Sequence, residues 1–107
     1  MSAYPADADG DALRQVASSG SDMTQPMTID FSVAAPDEAA ARRMAAAAEL
    51  LGFDPSIYED PEKRSWSVYC SKSMLATYDG VVAVQGQLNA MAARHGGRCE
   101  GWASFGN

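Results

Sequence analysis

Apolar and polar residues alternate most regularly in MTIDFSV, at positions 27–33. Ile29, Phe31 and Val33 occupy every second position, and polar residues such as Asp30 stand between them. Because successive side chains of a strand point to opposite faces, this pattern predicts a strand with one buried and one open face. Shorter alternations recur in the second half of the chain.

Two longer segments follow the helical period instead. The first, APDEAAARRMAAAAELLGF at 35–53, opens with Pro36, Asp37 and Glu38, where a fixed φ and negative charge favour the start of a helix. Gly52 supplies the left-handed conformation that ends it. Apolar residues recur at spacings of four, three and four, which predicts a buried stripe of Ala40, Met44, Ala47 and Leu51.

The second helical segment is predicted over residues 77–95 and is ended by Gly96 and Gly97. A glycine in mid-helix weakens it without breaking its apolar stripe. That predicted stripe consists of Val81, Val84, Leu88 and Met91. A weaker, shorter helix is predicted at residues 7–19, where Gly10 interrupts the pattern.

Three further strands are predicted. FDPSIYE at 53–59 and SWSVYCS at 65–71 are predicted to form a hairpin around the polar turn at 60–64. Pro55 has no N–H to donate, so the first of these strands belongs at an edge of the sheet. RCEGWASF at 98–105 is the last strand.

The order of elements is a short helix followed by β-α-β-β-α-β. It favours a ferredoxin-like α+β sandwich, in which a four-stranded antiparallel sheet carries two helices on one face. The expected strand order across the sheet is fourth, first, third, second, with right-handed crossovers. We predict an N-terminal arm with the short helix at residues 1–26 and the ferredoxin-like domain at residues 27–107.

This topology separates the two cysteines. Cys70 belongs to the third strand and Cys99 to the fourth, with the first strand between them. Neighbouring strands lie about 4.8 Å apart, so the two backbones are roughly 9.6 Å apart, beyond the reach of a disulfide. We expect two free thiols, and the absence of CxxC spacing excludes the common zinc and redox motifs.

Composition narrows the class of protein. The 107 residues suffice for one modest core, and 14 acidic against 8 basic residues give a net charge of −6. A negative net charge disfavours binding to the phosphate backbone of nucleic acids and favours a basic protein partner. Candidates for a local basic patch are Arg42–Arg43, Lys63–Arg64, Lys72, Arg94 and Arg98. No stretch suits a membrane span, and the N-terminus lacks a signal-peptide core, so we expect a cytoplasmic protein.

Residues that could support catalysis are few. His95 is the only histidine, and at the end of a helix its positive form complements the helix dipole. The acidic pair Asp37–Glu38 belongs to a helix start, and Glu59, Asp60 and Glu62 belong to a turn. Motifs for zinc, nucleotides and phosphate are missing. We predict a non-enzymatic protein without a metal or a cofactor.

The sheet face away from the helices is the candidate binding surface. Strand alternation predicts that this face carries Asp30, Tyr69, Glu100 and Trp102, with Tyr58 at its flank. Tyrosine, tryptophan and arginine are the usual anchors of protein interfaces, so these four residues are the predicted partner contacts. In a second interpretation, residues 1–26 fold over the face and bury its aromatic side chains.

Two other functions stay open for the same face. Aromatic side chains on an open sheet also stack RNA bases in RRM domains, although Asp30 and Glu100 disfavour RNA here. A homodimer or a ligand-binding module is the other alternative, so the chain is expected to be a monomer or a homodimer.

Several short motifs follow one another along residues 11–105. They are GSD at 20–22, TIDFSV, the helix end LLGF, the SK before the second long helix and, most specific, GGRCEGW at 96–102. In this order they resemble the regulator of ribonuclease E activity B family. The resemblance implies a ferredoxin-like fold and a non-enzymatic cytoplasmic regulator that binds the C-terminal scaffold of ribonuclease E and inhibits RNA processing.

The resemblance also bears on how such binding would work. An acidic inhibitor is electrostatically suited to an Arg-rich scaffold. Well-known members of the family continue past the tryptophan into a long acidic tail, whereas this sequence ends at Asn107. If that tail contributes to binding, we expect this protein to bind differently, more weakly or to another partner. The family has no catalytic motif to carry over, and its partner contacts are not encoded in a short motif.

Overall fold

A computed structural model describes residues 5–62 and 65–107, so Lys63 and Arg64 of the candidate basic patch lie outside the described residues. Within these described residues, three helices and four strands follow the expected order. Their bounds are α1 Ala8–Ser18, β1 Met27–Ala35, α2 Glu38–Leu50, β2 Asp54–Asp60, β3 Ser65–Met74, α3 Tyr78–Ala93 and β4 Arg98–Ala103. None of the described helices is long and apolar enough to cross a membrane.

The four strands form one antiparallel sheet in the order β2-β3-β1-β4. This order confirms the ferredoxin-like α+β prediction, including Pro55 on an edge strand. Phe31 at the centre of β1 stands opposite Cys70 on one side and Trp102 on the other. Cys70 and Cys99 are free thiols on strands that β1 separates.

The core lies between one face of the sheet and the helices. The alternate residues of β1 from Met27 to Ala35 are buried, as the sequence pattern predicts. The buried stripe of α3 contains all four predicted residues. These strand and helix side chains belong to one continuous apolar cluster. Burial of this cluster is the main force that holds the helices to the sheet.

The stripe of α2 differs from the prediction. Its buried residues are Ala40, Ala41, Met44 and Ala48. Ala47 is only half-buried, and Leu51 is 39% exposed. The helix is rotated about its axis so that the small residues Ala41 and Ala48 approach the sheet. A pattern made mostly of alanine does not fix this rotation, because nearly every face of such a helix is apolar.

Helix α1 lies in the helical layer and packs against α3. Leu13 is fully buried and Val16 nearly so. The Tyr78 hydroxyl donates to an Asp7 carboxylate oxygen at 2.6 Å, and the Gln85 amide donates to Asp9 at 2.9 Å. The interpretation in which the N-terminal segment covers the open sheet face is therefore wrong for α1.

Candidate functional site

The open face of the sheet is built from the outward residues of all four strands. At its centre Asp30 of β1 stands opposite Ser71 of β3, and Ser32 stands opposite Tyr69. The Ser71 hydroxyl donates a hydrogen bond to the Asp30 carboxylate. This bond fixes the carboxylate on the face while its remaining acceptor positions stay available to a partner.

Two tyrosines supply the aromatic surface of this face. Tyr58 of β2 and Tyr69 of β3 lie with ring centroids 6.5 Å apart and an interplanar angle of 61°, an edge-to-face pair. Tyr58 is 54% exposed and Tyr69 is 39% exposed. Their hydroxyls and ring faces are open to a partner, while the pairing restricts their motion.

The charge of the open face is predominantly acidic. The register places Asp54 and Asp60 on the same side of the sheet as Tyr58, alongside Asp30. On β4, Glu100 lies 3.5 Å from the guanidinium of Arg98, the one base among the outward strand residues described. The face therefore offers four carboxylates and two tyrosines, which suits a positively charged partner.

Trp102 does not lie on this face, and its predicted placement is wrong. It stands opposite Phe31 and packs against the core on the helical side of the sheet. The indole Nε1–H donates to an Asp9 carboxylate oxygen of α1 at 3.0 Å. Asp9 thereby accepts hydrogen bonds from both Trp102 and Gln85.

A β-bulge in β4 explains the error. Ser32 pairs with Gly101 and Val33 pairs with Cys99, so Glu100 is an extra residue in the ladder. The extra residue reverses the alternation beyond it and turns Trp102 inwards. Gly101 has φ 133°, which other residues rarely adopt. A glycine inside a strand pattern is the sequence signal that could have predicted this bulge.

Of the four predicted partner contacts, the structure thus brings Asp30, Tyr69 and Glu100 to the open face. Tyr58, predicted only at the flank, is the most exposed aromatic residue of that face.

The segment GGRCEGW shapes the fold around β4. Gly96, with φ 78°, ends the helical segment, and Gly97 leaves no room for a Cβ against the carbonyl of Ala34. The Cys99 N–H donates to the side-chain oxygen of Asn89 at 3.0 Å, which satisfies part of the edge of β4. Packing and backbone hydrogen bonding therefore account for Gly96, Gly97 and Cys99 of this motif.

Burial and local hydrogen bonds shift the pKa values of both cysteines and of Asp7. Burial raises the pKa of Cys70 to about 11 and also raises the pKa of Cys99, so both thiols are poor nucleophiles. The hydrogen bond from Tyr78 is the main cause that lowers the pKa of Asp7. Within residues 5–62 and 65–107, no group of three His, Cys, Asp or Glu side chains is placed to hold a metal ion.

Comparison with known proteins gives one result. A family model described as Regulator of ribonuclease activity B (RraB) matches residues 6–104. The match spans α1, the whole sheet and both long helices. No curated protein matches the chain.

Proposed function

This chain belongs to the regulator of ribonuclease activity B family, and from that premise we propose that it binds ribonuclease E and inhibits RNA processing through its open sheet face. The regulator acts by binding and not by catalysis, in the cytoplasm. The resemblance points to the C-terminal scaffold of ribonuclease E as the bound region.

One observation carries the proposal for the site. The exposed pair Tyr58–Tyr69 lies among carboxylates on the face that the described helices leave uncovered. Tyrosines provide rigid contact area at low entropic cost, and carboxylates attract and orient a basic segment. Asp30, Tyr69 and Glu100, with Tyr58, are the proposed contacts.

The two parts of the chain have different proposed roles. Residues 27–107 carry the proposed binding face, and the arm at residues 1–26 supports the fold through α1. The RRM-like alternative is disfavoured because the carboxylates repel phosphates. A homodimer through the tyrosine pair is the remaining competitor, and sedimentation at several concentrations tests it.

The test is calorimetric titration of the protein into the C-terminal scaffold half of ribonuclease E from the same host, with the catalytic half as control. We expect saturable binding to the scaffold half alone. Tyr69→Ala should weaken it by about ten-fold or more, which corresponds to roughly 1.4 kcal/mol. Val82→Ala is the matched control, since Val82 is 41% exposed and belongs to α3.

Two results would contradict the proposal. The first is the absence of binding to either half, which would show that ribonuclease E is not the partner. The second is equal binding by the Tyr69→Ala and unmodified proteins, which would show that the partner binds elsewhere than at the open sheet face.

A further inference from the structure

The helical layer carries an apolar groove of its own. It lies between the end of α2 and the second half of α3 and has a volume of about 370 Å³. Met91, almost fully buried, reaches it from the core, and the small residues Ala47 and Ala90 lie beside it. The groove shares no residue with the open sheet face.

Two neighbouring leucines at this groove are exposed to solvent. Leu50 is 90% exposed and Leu51 is 39% exposed. Both stand at the end of α2 outside its buried stripe, before Gly52, with φ 96°, ends the helix and Phe53 turns into the core. Exposed leucines beside an apolar groove form the kind of surface that marks an interaction site.

The charge at the groove is opposite to that of the whole chain. Its lining residues include two bases, Arg94 and His95, and no acid. The chain as a whole has a net charge of −6. Among the described residues, no carboxylate forms an ion pair with Arg94. The dipole of α3 accounts for a base at its C-terminus but not for the adjacent exposed leucines.

We propose that this groove binds an amphipathic helix of a protein partner whose apolar face carries acidic side chains at its border. Apolar residues of that helix cover Leu50 and Leu51, and one of its carboxylates pairs with Arg94. The small side chains of Ala47 and Ala90 leave space for the apolar side chains of the partner helix, which is how an amphipathic helix binds in a groove. The inference is independent of the function proposed for the sheet face.

The test uses two synthetic helical peptides with the same leucine face, one bordered by glutamates and the other by lysines. Each is titrated into the full ¹⁵N-labelled chain, and amide shifts are followed. We expect saturable shifts at the ends of α2 and α3 with the acidic peptide and affinity at least about ten-fold lower for the basic one. Arg94→Glu should reverse this preference.

Arg43→Glu is the matched control, because it makes the same charge change on α2 outside the groove lining. This control should leave the preference for the acidic peptide unchanged. Leu50→Ser should weaken binding of the acidic peptide without changing the Tm of the protein. The proposal is overturned if neither peptide shifts groove residues at about 1 mM, if both bind equally, or if lipid vesicles or a second copy of the chain occupy the groove instead.

Discussion

The indole of Trp102 donates a hydrogen bond to the carboxylate of Asp9 across 3.0 Å and so joins the last strand to the first helix. Gln85 of α3 donates to the same carboxylate oxygen at 2.9 Å. Helix α1, helix α3 and strand β4 therefore meet at one acceptor. Trp102 therefore serves as an anchor for α1.

The first prediction concerns this contact. Trp102→Phe and Asp9→Ala should each destabilise the protein, and in a double-mutant cycle they should couple by about 0.5–1.5 kcal/mol, the usual contribution of one hydrogen bond. Urea denaturation of the four proteins measures the coupling. Combining Trp102→Phe with Glu49→Ala, a change on α2, should give no coupling. Additivity of the Trp102 and Asp9 changes would contradict the anchor.

A second prediction compares two glycines that both have open space where a Cβ would stand. Gly101→Ala should cost about 1–3 kcal/mol, because alanine does not readily adopt φ 133°. Gly86→Ala in the interior of α3 should instead stabilise the protein by about 0.5–1 kcal/mol. Thermal unfolding gives both values. A neutral Gly101→Ala would show that the bulge does not depend on glycine.

The difference between the predicted and observed positions of Trp102 shows where sequence patterns no longer predict the structure. Regular periodicity was sufficient for β1 and for the stripe of α3, and the succession of elements was sufficient for the strand order of the sheet. The bulge at Gly101 is one extra residue, and a single insertion reverses every later side chain of the strand. The rotation of α2 depends on tertiary packing, because its alanines offer several similar faces.

The open face was predictable to the same extent. Asp30 and Tyr69 lie on regular strands, so alternation was enough to place them. Glu100 lies on the face because it precedes the change of phase at Gly101. The apolar groove beside Leu50 was not predicted, since the sequence assigned Leu51 to the core stripe. Only the three-dimensional rotation of α2 brings these leucines to the surface.

The third prediction is a pH dependence at α1. The Tyr78 hydroxyl, and then the Gly10 N–H, lower the pKa of Asp7 from its ordinary value of about 3.9. A lowered carboxyl pKa stabilises the fold above the unfolded value, and this contribution is lost as pH falls through the folded pKa. Tyr78→Phe should raise the pKa of Asp7, measured by NMR titration of its carboxyl carbon. Tyr58→Phe should leave it unchanged, and an unchanged pKa in Tyr78→Phe would contradict the prediction.

The same hydrogen bond raises the pKa of Tyr78. For the tyrosine, the pH dependence of stability has the opposite sign. The stabilisation of the fold is present below the unfolded tyrosine pKa of about 10 and is lost as pH rises through the folded pKa. Ultraviolet titration should therefore show that Tyr78 ionises at a higher pH in the unmodified protein than in an Asp7→Ala variant. Equal titration curves would mean that the contact does not persist in solution.

A fourth prediction concerns the thiols. Cys70 is fully buried, with a pKa raised to about 11 by burial, whereas Cys99 is only partly buried. At pH 8 a thiol reagent should modify Cys99 first, and Cys70 should react only when the fold opens. Mild urea should therefore accelerate labelling of Cys70 more than labelling of Cys99, followed by mass spectrometry of digested protein. Rapid labelling of Cys70 in the native protein would contradict its burial.

The last prediction distinguishes a basic protein partner from RNA at the open face. Asp54→Asn and Glu100→Gln remove negative charge from that face without disturbing the core, since both residues are exposed. If the partner is a basic scaffold segment, the association rate at low salt should fall by a few-fold, and the difference should vanish at high salt. If the face binds RNA, the same changes should strengthen binding, because they remove repulsion from phosphates. Glu49→Gln, on α2, is the control with equal charge loss, and stopped-flow association at two salt concentrations gives the sign.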